Sequence, residues 1–376
     1  MEYTKEYNIM KKNFEIKKFA VYGVIAASTI LAACGGGGGG SSGSSSGTTS
    51  SGSGSTTAAQ SSTSPKTSVA TPTYASSSMQ ASAFSMLNAY RLAMGVGELS
   101  QDTILDTSGQ AHALYLNTNF ANGSITAVTH NEVSTNADYY AATPLSRAQK
   151  AGAPATEWIS ENAAVGLSQA SSSAYASDCV GQFLNTVYHL QDATEVQETI
   201  GIGFQQNTTQ GTYSCVLDFG QTTGVSGTPV ANGYLTSAGQ QMATTAIAHS
   251  PLANETGVAR AMTAESPNPA PDLASPGRPI MIRVTAANAG DVLTVTSFTL
   301  TSSGGTVVPA RIIVPSAALT GSTSSATADV NNAMAVGVAF LLPQAALAAN
   351  TTYTVAFSGQ RDGTPISTTW TFTTGS

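Results

Sequence analysis

The sequence predicts an α+β fold in two parts, a layered α+β segment at about 78–225 and an all-β sandwich at about 240–376. Three observations predict it. Apolar residues recur at helical spacing through 79–188; two alternating runs, Thr199–Phe204 and Tyr213–Phe219, then close that segment as a hairpin. Short β-rich runs separated by Gly, Asn, Asp and Ser turns fill the remainder.

The leader comes first. Lys11, Lys12, Lys17 and Lys18 precede an apolar run, Phe19 to Leu31, of the length of a secretory signal and short for a membrane-spanning helix. Leu31-Ala32-Ala33-Cys34 follows, so residues 1–33 read as a lipoprotein signal peptide and Cys34 as the lipidated first residue of the exported chain. Two or three acyl chains there would hold the protein firmly at a membrane, where a single one holds weakly. Gly35 is not an inner-membrane retention residue, which makes the outer membrane the expected destination, on its periplasmic or its surface face. Residues 34–77 are rich in Gly, Ser, Thr, Ala and Pro with almost no charge, the composition of a flexible tether.

In the first folded segment, Phe84, Leu87, Tyr90 and Met94 predict a helix over Met79–Met94, ended by Gly95 and Gly97. Ala111, Leu114 and Tyr115 predict a second over Asp106–Asn119, Thr143-Pro144 opens a third at Leu145–Lys150, and a fourth is expected at Ser172–Tyr188. His112 lies within an apolar stretch and reads as a packed core histidine. Cys179 and Cys215 are the two cysteines left after Cys34 in an exported chain, so a disulfide between them is expected, closing a loop of about 35 residues. With 14 Lys+Arg against 21 Asp+Glu and a formal charge of −7, the chain shows no basic patch, which argues against a nucleic-acid partner.

Several short motifs occur in a fixed order. They are Leu87-Asn88-Ala89-Tyr90-Arg91, Ala111-His112-Ala113, Thr129-His130-Asn131-Glu132, Ser160-Glu161-Asn162, Phe183 to His189, and Ile200-Gly201-Ile202-Gly203-Phe204. Together they resemble the CAP superfamily (SCP/PR-1-like) in its bacterial form. That resemblance implies an α-β-α sandwich with a cleft lined by histidines and acids. It places the cleft on His130, Glu161 and His189, with Asn162 and Ser160 beside them. Ser160 stands where the family has glycine, and the second cleft glutamate of many members has no clear equivalent.

Two imidazoles and a carboxylate suit a hydrogen-bonded structural cluster, a ligand or metal site, or proton transfer. Zinc is the metal these residue types would take, through His130 and His189. No activated nucleophile stands out, and a serine-type hydrolase of peptides or envelope polymers would need Ser160 within reach of a histidine. Residues 226–239 read as a linker. Beyond them, Leu341-Leu342-Pro343 and Leu347 to Val355 resemble bacterial Ig-like modules, which implies spacer or adhesive duty. The expected function is therefore binding of a small molecule, a lipid or a surface partner by a membrane-tethered protein. The alternatives are a metal-dependent or serine-type hydrolase and a purely structural or adhesive surface protein.

Overall fold

The Ser78 hydroxyl accepts from Ala81 N at 3.0 Å and starts helix α1, Met79–Met94, which ends at Gly95 in the left-handed conformation (φ 83°). The computed structural model describes residues 65–231, 241–288 and 290–376. The signal peptide, Cys34, residues 34–64 of the predicted tether and most of the second predicted linker lie outside them. Residues 65–77, the rest of that tether, lie against the fold. Lys66 O accepts from Glu98 N at 2.9 Å, and Tyr74 gives its hydroxyl proton to Asp106 at 2.5 Å.

Two motif residues of α1 lock it to its surroundings. Asn88 bonds the backbone of Leu99 in both directions at 2.8 and 3.0 Å. The buried Arg91 donates to Gly97 O and Ala193 O, both at 2.9 Å. Helix α2, Thr103–Asn122, is longer than its predicted span at both ends: Asp102 caps its start, accepting from Ile104 N at 2.7 Å, and Gly123 ends it in the left-handed conformation (φ 77°). Helix α3, Pro144–Ala151, opens on a capping box between Thr143 and Ser146.

The first sheet contains β1 (Ser100–Gln101), β2 (Trp158–Leu167), β3 (Thr199–Asn207) and β4 (Thr212–Gln221) in the order β1-β3-β4-β2. The β3–β4 hairpin sits where the sequence predicts it. Strand β2 gives no alternating signal because both of its faces are buried and polar Ser160, Glu161 and Asn162 sit in mid-strand. Glycine at 203 lets α2 approach the sheet backbone to backbone: a Cβ there would lie 2.0 Å from Gly109 O.

The predicted fourth helix, Ser172–Tyr188, ends short of its expected span, and a separate short helix follows. Helix α4, Ser172–Leu184, stops before α5, Tyr188–Ala193. The groups that would continue it are taken from elsewhere: Asn185 O accepts from Thr263 N at 2.9 Å, and Val187 N donates to Glu265 Oε1 at 2.6 Å. Cys179 on α4 and Cys215 on β4 form the expected disulfide inside the core of this region, with Cα atoms 6.3 Å apart.

The C-terminal region is two further open sheets. One has the order β10-β9-β11-β7-β5, from Ala326–Ala328, Ala310–Val314, Val338–Pro343, Ile280–Arg283 and Ala248–Ser250. The other has the order β6-β13-β12-β8, from Glu255–Val258, Thr364–Thr374, Thr352–Arg361 and Leu293–Ser302. Ile282 and Leu341 of the first share a core with Val295, Val355 and Trp370 of the second. The long β12–β13 hairpin turns at Asp362-Gly363, both with positive φ (50° and 78°), one of the Asp/Gly turns expected between the β-rich runs. The other face of the five-stranded sheet is also apolar. Met281, Ile313, Phe340 and Leu342 pack with Met94, Val96, Val187 and Leu190 of the first region. Each such side chain contributes about 1.5–3 kcal/mol by leaving water. The fold is thus mixed α+β with three open sheets, and the described residues belong to one compact unit, Thr57–Ser376.

Candidate functional site

Strand β2 is an edge strand, and the sequence-predicted site residues gather along it. Successive side chains alternate between its faces, so Glu161 points one way and Ser160 and Asn162 the other. Glu161 is the hub of the first face. His130 Nδ1 lies 2.9 Å from Glu161 Oε1, Arg147 donates to Oε2 in a short, fully buried ion pair, and His112 Nε2 is 3.6 Å away. Arg147 also holds the backbone carbonyl of His130 at 3.0 Å, which fixes the loop that carries the ring.

His112 belongs to this cluster as well as to the core. Its Nδ1 faces Glu132 Oε1 at 3.0 Å and its Nε2 faces Thr129 O at 2.8 Å. Between them these two oxygens fix the plane of the ring. Glu132 Oε2 in turn accepts from Tyr140 N at 2.6 Å. Behind Glu161 stands Asp218, directly opposite it on β4 and fully buried. Burial would raise the Glu161 carboxyl, but Arg147, His112 and His130 override it and hold it far below the usual carboxylate range. Burial and then the Glu161 charge push Asp218 well above that range. Burial lowers His130, yet the hydrogen bond and charge of Glu161 leave it above its ordinary value.

On the other face, Asn162 Nδ2 donates to His189 O at 3.0 Å, which ties β2 to α5. His189 Nδ1 lies 3.1 Å from Glu265 Oε2. Burial pushes the Asp192 carboxyl up to about 6; Ser160, His189 and His130 oppose the rise, so Asp192 feels both sides of the β2 edge. The Ser160 hydroxyl is buried without a hydrogen-bond partner of normal geometry.

The fold therefore brings His130 to Glu161 and Asn162 to the backbone of His189, while the His189 ring goes to a carboxylate from the second region. Arg147, Glu132, Asp192, Asp218 and Glu265 are members the sequence reading did not single out. The only cues were Glu132 two residues after His130 and the acids Asp192 and Glu195, within and just after α5.

The two site histidines share one arrangement. Each turns Nδ1 to a buried carboxylate, which requires an N–H there, and leaves Nε2 without a hydrogen bond among the described residues. The His130 side chain is 40% exposed and that of His189 17%. A neutral ring so held leaves its Nε2 lone pair unengaged, and a protonated one an Nε2 N–H. Among the described residues no three His, Cys, Asp or Glu side chains converge where a metal ion would sit. No helix among the described residues is long and apolar enough to cross a membrane.

No family model matches the chain, and no curated protein matches it. Among solved structures, an outer surface protein from Borrelia burgdorferi is similar at a TM-score of 0.29 and 19% identity, over 37% of this chain and 88% of that one. A likeness that loose carries no argument here.

Proposed function

We propose that this chain is a lipid-anchored protein of the cell envelope, of CAP type with a C-terminal Ig-like sandwich, that binds a small molecule or lipid headgroup at the β2 edge. The supporting observation is the paired arrangement of His130 and His189, each fixed through Nδ1 by a buried carboxylate with Nε2 free. Through Nε2 a neutral ring accepts a hydrogen bond or binds a metal ion, and a protonated ring donates to an anionic group such as a carboxylate. A serine-type hydrolase finds no support, because the Ser160 hydroxyl is bonded to neither histidine. The export signal and Cys34 of the sequence support a binding edge outside the cytoplasm, at the outer membrane.

The test follows the imidazole NMR signals of His130 and His189 while the full chain is titrated separately with zinc ion and with palmitate. Saturable shifts of both rings by one probe, abolished for the remaining ring in His130→Ala and His189→Ala variants, are the expected result. No response to either probe, in protein that melts like wild type, would overturn the reading.

A further inference from the structure

Helix α5 carries His189 but has no cap of its own. Its N-cap residue, Val187, offers no side-chain hydrogen bond. The cap comes from Glu265, on the far side of the second predicted linker. Glu265 Oε1 accepts from Val187 N at 2.6 Å; Oε2 accepts from Tyr188 N at 3.0 Å and faces His189 Nδ1 at 3.1 Å. The Glu265 side chain is fully buried. A carboxylate at the first turn of a helix meets its unsatisfied N–H groups and the positive end of its dipole. Here the same carboxylate orients an imidazole.

The rest of α5 is held from the same side. Tyr188 gives its hydroxyl proton to Asp329 at 2.5 Å. The Gln191 side chain bonds Ala333 O at 3.1 Å and Ala335 N at 2.8 Å. Arg283 of β7 meets Gln191 O and Glu195 Oε1, both at 2.6 Å. His189 thus rests on the 241–376 region as much as on its own.

We propose that Glu265 is a positioning residue of the binding site. It anchors His189 through Nδ1, fixes the tautomer that leaves Nε2 for a ligand, and makes the C-terminal region part of the site. This rests on the reading that His189 faces a ligand, but its test needs none. An ionised carboxylate only accepts, so the Nδ1–H form is the one that satisfies both partners. Remove the carboxylate and the ring is released to the Nε2–H form that a free histidine side chain favours in water.

The experiment is long-range 1H–15N NMR of the full chain labelled at histidine, at pH 8. Wild type is expected to show His189 as the Nδ1–H tautomer, and Glu265→Ala to shift it to Nε2–H while the His130 signals stay in place. Glu265→Gln keeps an acceptor oxygen, so it is expected to retain the wild-type tautomer. In Glu265→Ala, whichever of zinc or palmitate binds wild type should bind about 10-fold more weakly. An Nε2–H tautomer in wild type, or a folded Glu265→Ala protein that keeps Nδ1–H, overturns the proposal. If Glu265→Ala does not fold, the wild-type and Glu265→Gln spectra decide alone. Failure of both probes with the expected tautomers removes the binding function and leaves the positioning role standing.

Discussion

Glu161 and Asp218 face one another across β2 and β4, in register and fully buried, and the fold holds one as a carboxylate and the other as an acid. Arg147 and two histidines gather on Glu161; Asp218 makes no ion pair among the described residues, and its carboxyl oxygens have no hydrogen-bond partner of normal geometry. Two adjacent carboxyls cannot both ionise cheaply, and the cations decide which one does.

Asp218→Asn follows from that asymmetry. A carboxyl raised above its unfolded value favours folding below that value and loses the advantage as pH rises through the folded one. The variant has no proton to hold, so its melting temperature relative to wild type should be higher at pH 8 than at pH 4. A difference that does not change with pH would show Asp218 ionised in the native protein.

Glu161→Ala leaves the buried Arg147 guanidinium with only the 3.7 Å approach of Glu132 as counter-charge and should cost about 3–5 kcal/mol in urea unfolding. His130→Ala removes a ring that is 40% exposed and should cost no more than about 1 kcal/mol. The Glu161 pKa is depressed in the fold, so its contribution is present above its ordinary value of 4.5 and is lost as pH falls below it. Equal costs for the two variants would remove Glu161 from the centre of the network.

Gly203→Ala tests why the run Gly201-Ile202-Gly203 has glycine at these places. The new Cβ would meet Gly109 O of α2 at 2.0 Å, which is backbone and cannot swing aside. Overpacking of that kind costs about 1–3 kcal/mol or more. Because α2 carries His112, the variant should also disturb the His112 NMR signals before any global unfolding. An unperturbed His112 would mean that the helix does not rely on this contact.

The elements legible in the sequence are those whose signal is local. Helix α1 lies between Ser78 and Gly95 as periodicity and breaker glycines imply, and the β12–β13 hairpin turns on Asp362-Gly363. Strand β2 was not legible, because a strand buried on both faces with three polar residues in its middle has no period to detect. The break between α4 and α5 was hidden for a different reason: Thr263 and Glu265, about 75 residues downstream in sequence, end one helix and cap the next. The site divides in the same way. His130, Glu161 and His189 were visible through motif order, whereas Glu265 enters only through tertiary contact.

The Cys179–Cys215 bond should contribute about 2–5 kcal/mol, read as the loss of stability in the Cys179→Ala/Cys215→Ala double variant. Both positions are buried in the core that joins α4 to the first sheet, so the alanines also leave a small packing defect. Reduction of the wild-type protein without substitution separates the two effects. A reduced protein as stable as the oxidised one would assign the whole loss to packing.

Glu157, just before β2, offers a test of electrostatics away from the site. It is 4% exposed, and burial, followed by the charges of Asp102 and Glu198, pushes its carboxyl up to about 7. The folded value exceeds the unfolded one, so the stabilisation it gives is complete in acid and disappears as pH rises through about 7. Glu157→Gln carries no such penalty. Its advantage over wild type should be near zero at pH 4 and reach about 1–2 kcal/mol at pH 8, once partial solvation of the group is allowed for. Urea unfolding at the two pH values measures it directly. An advantage already present at pH 4 would point to better hydrogen bonding by the amide, and none at pH 8 would mean that the carboxylate reaches water there.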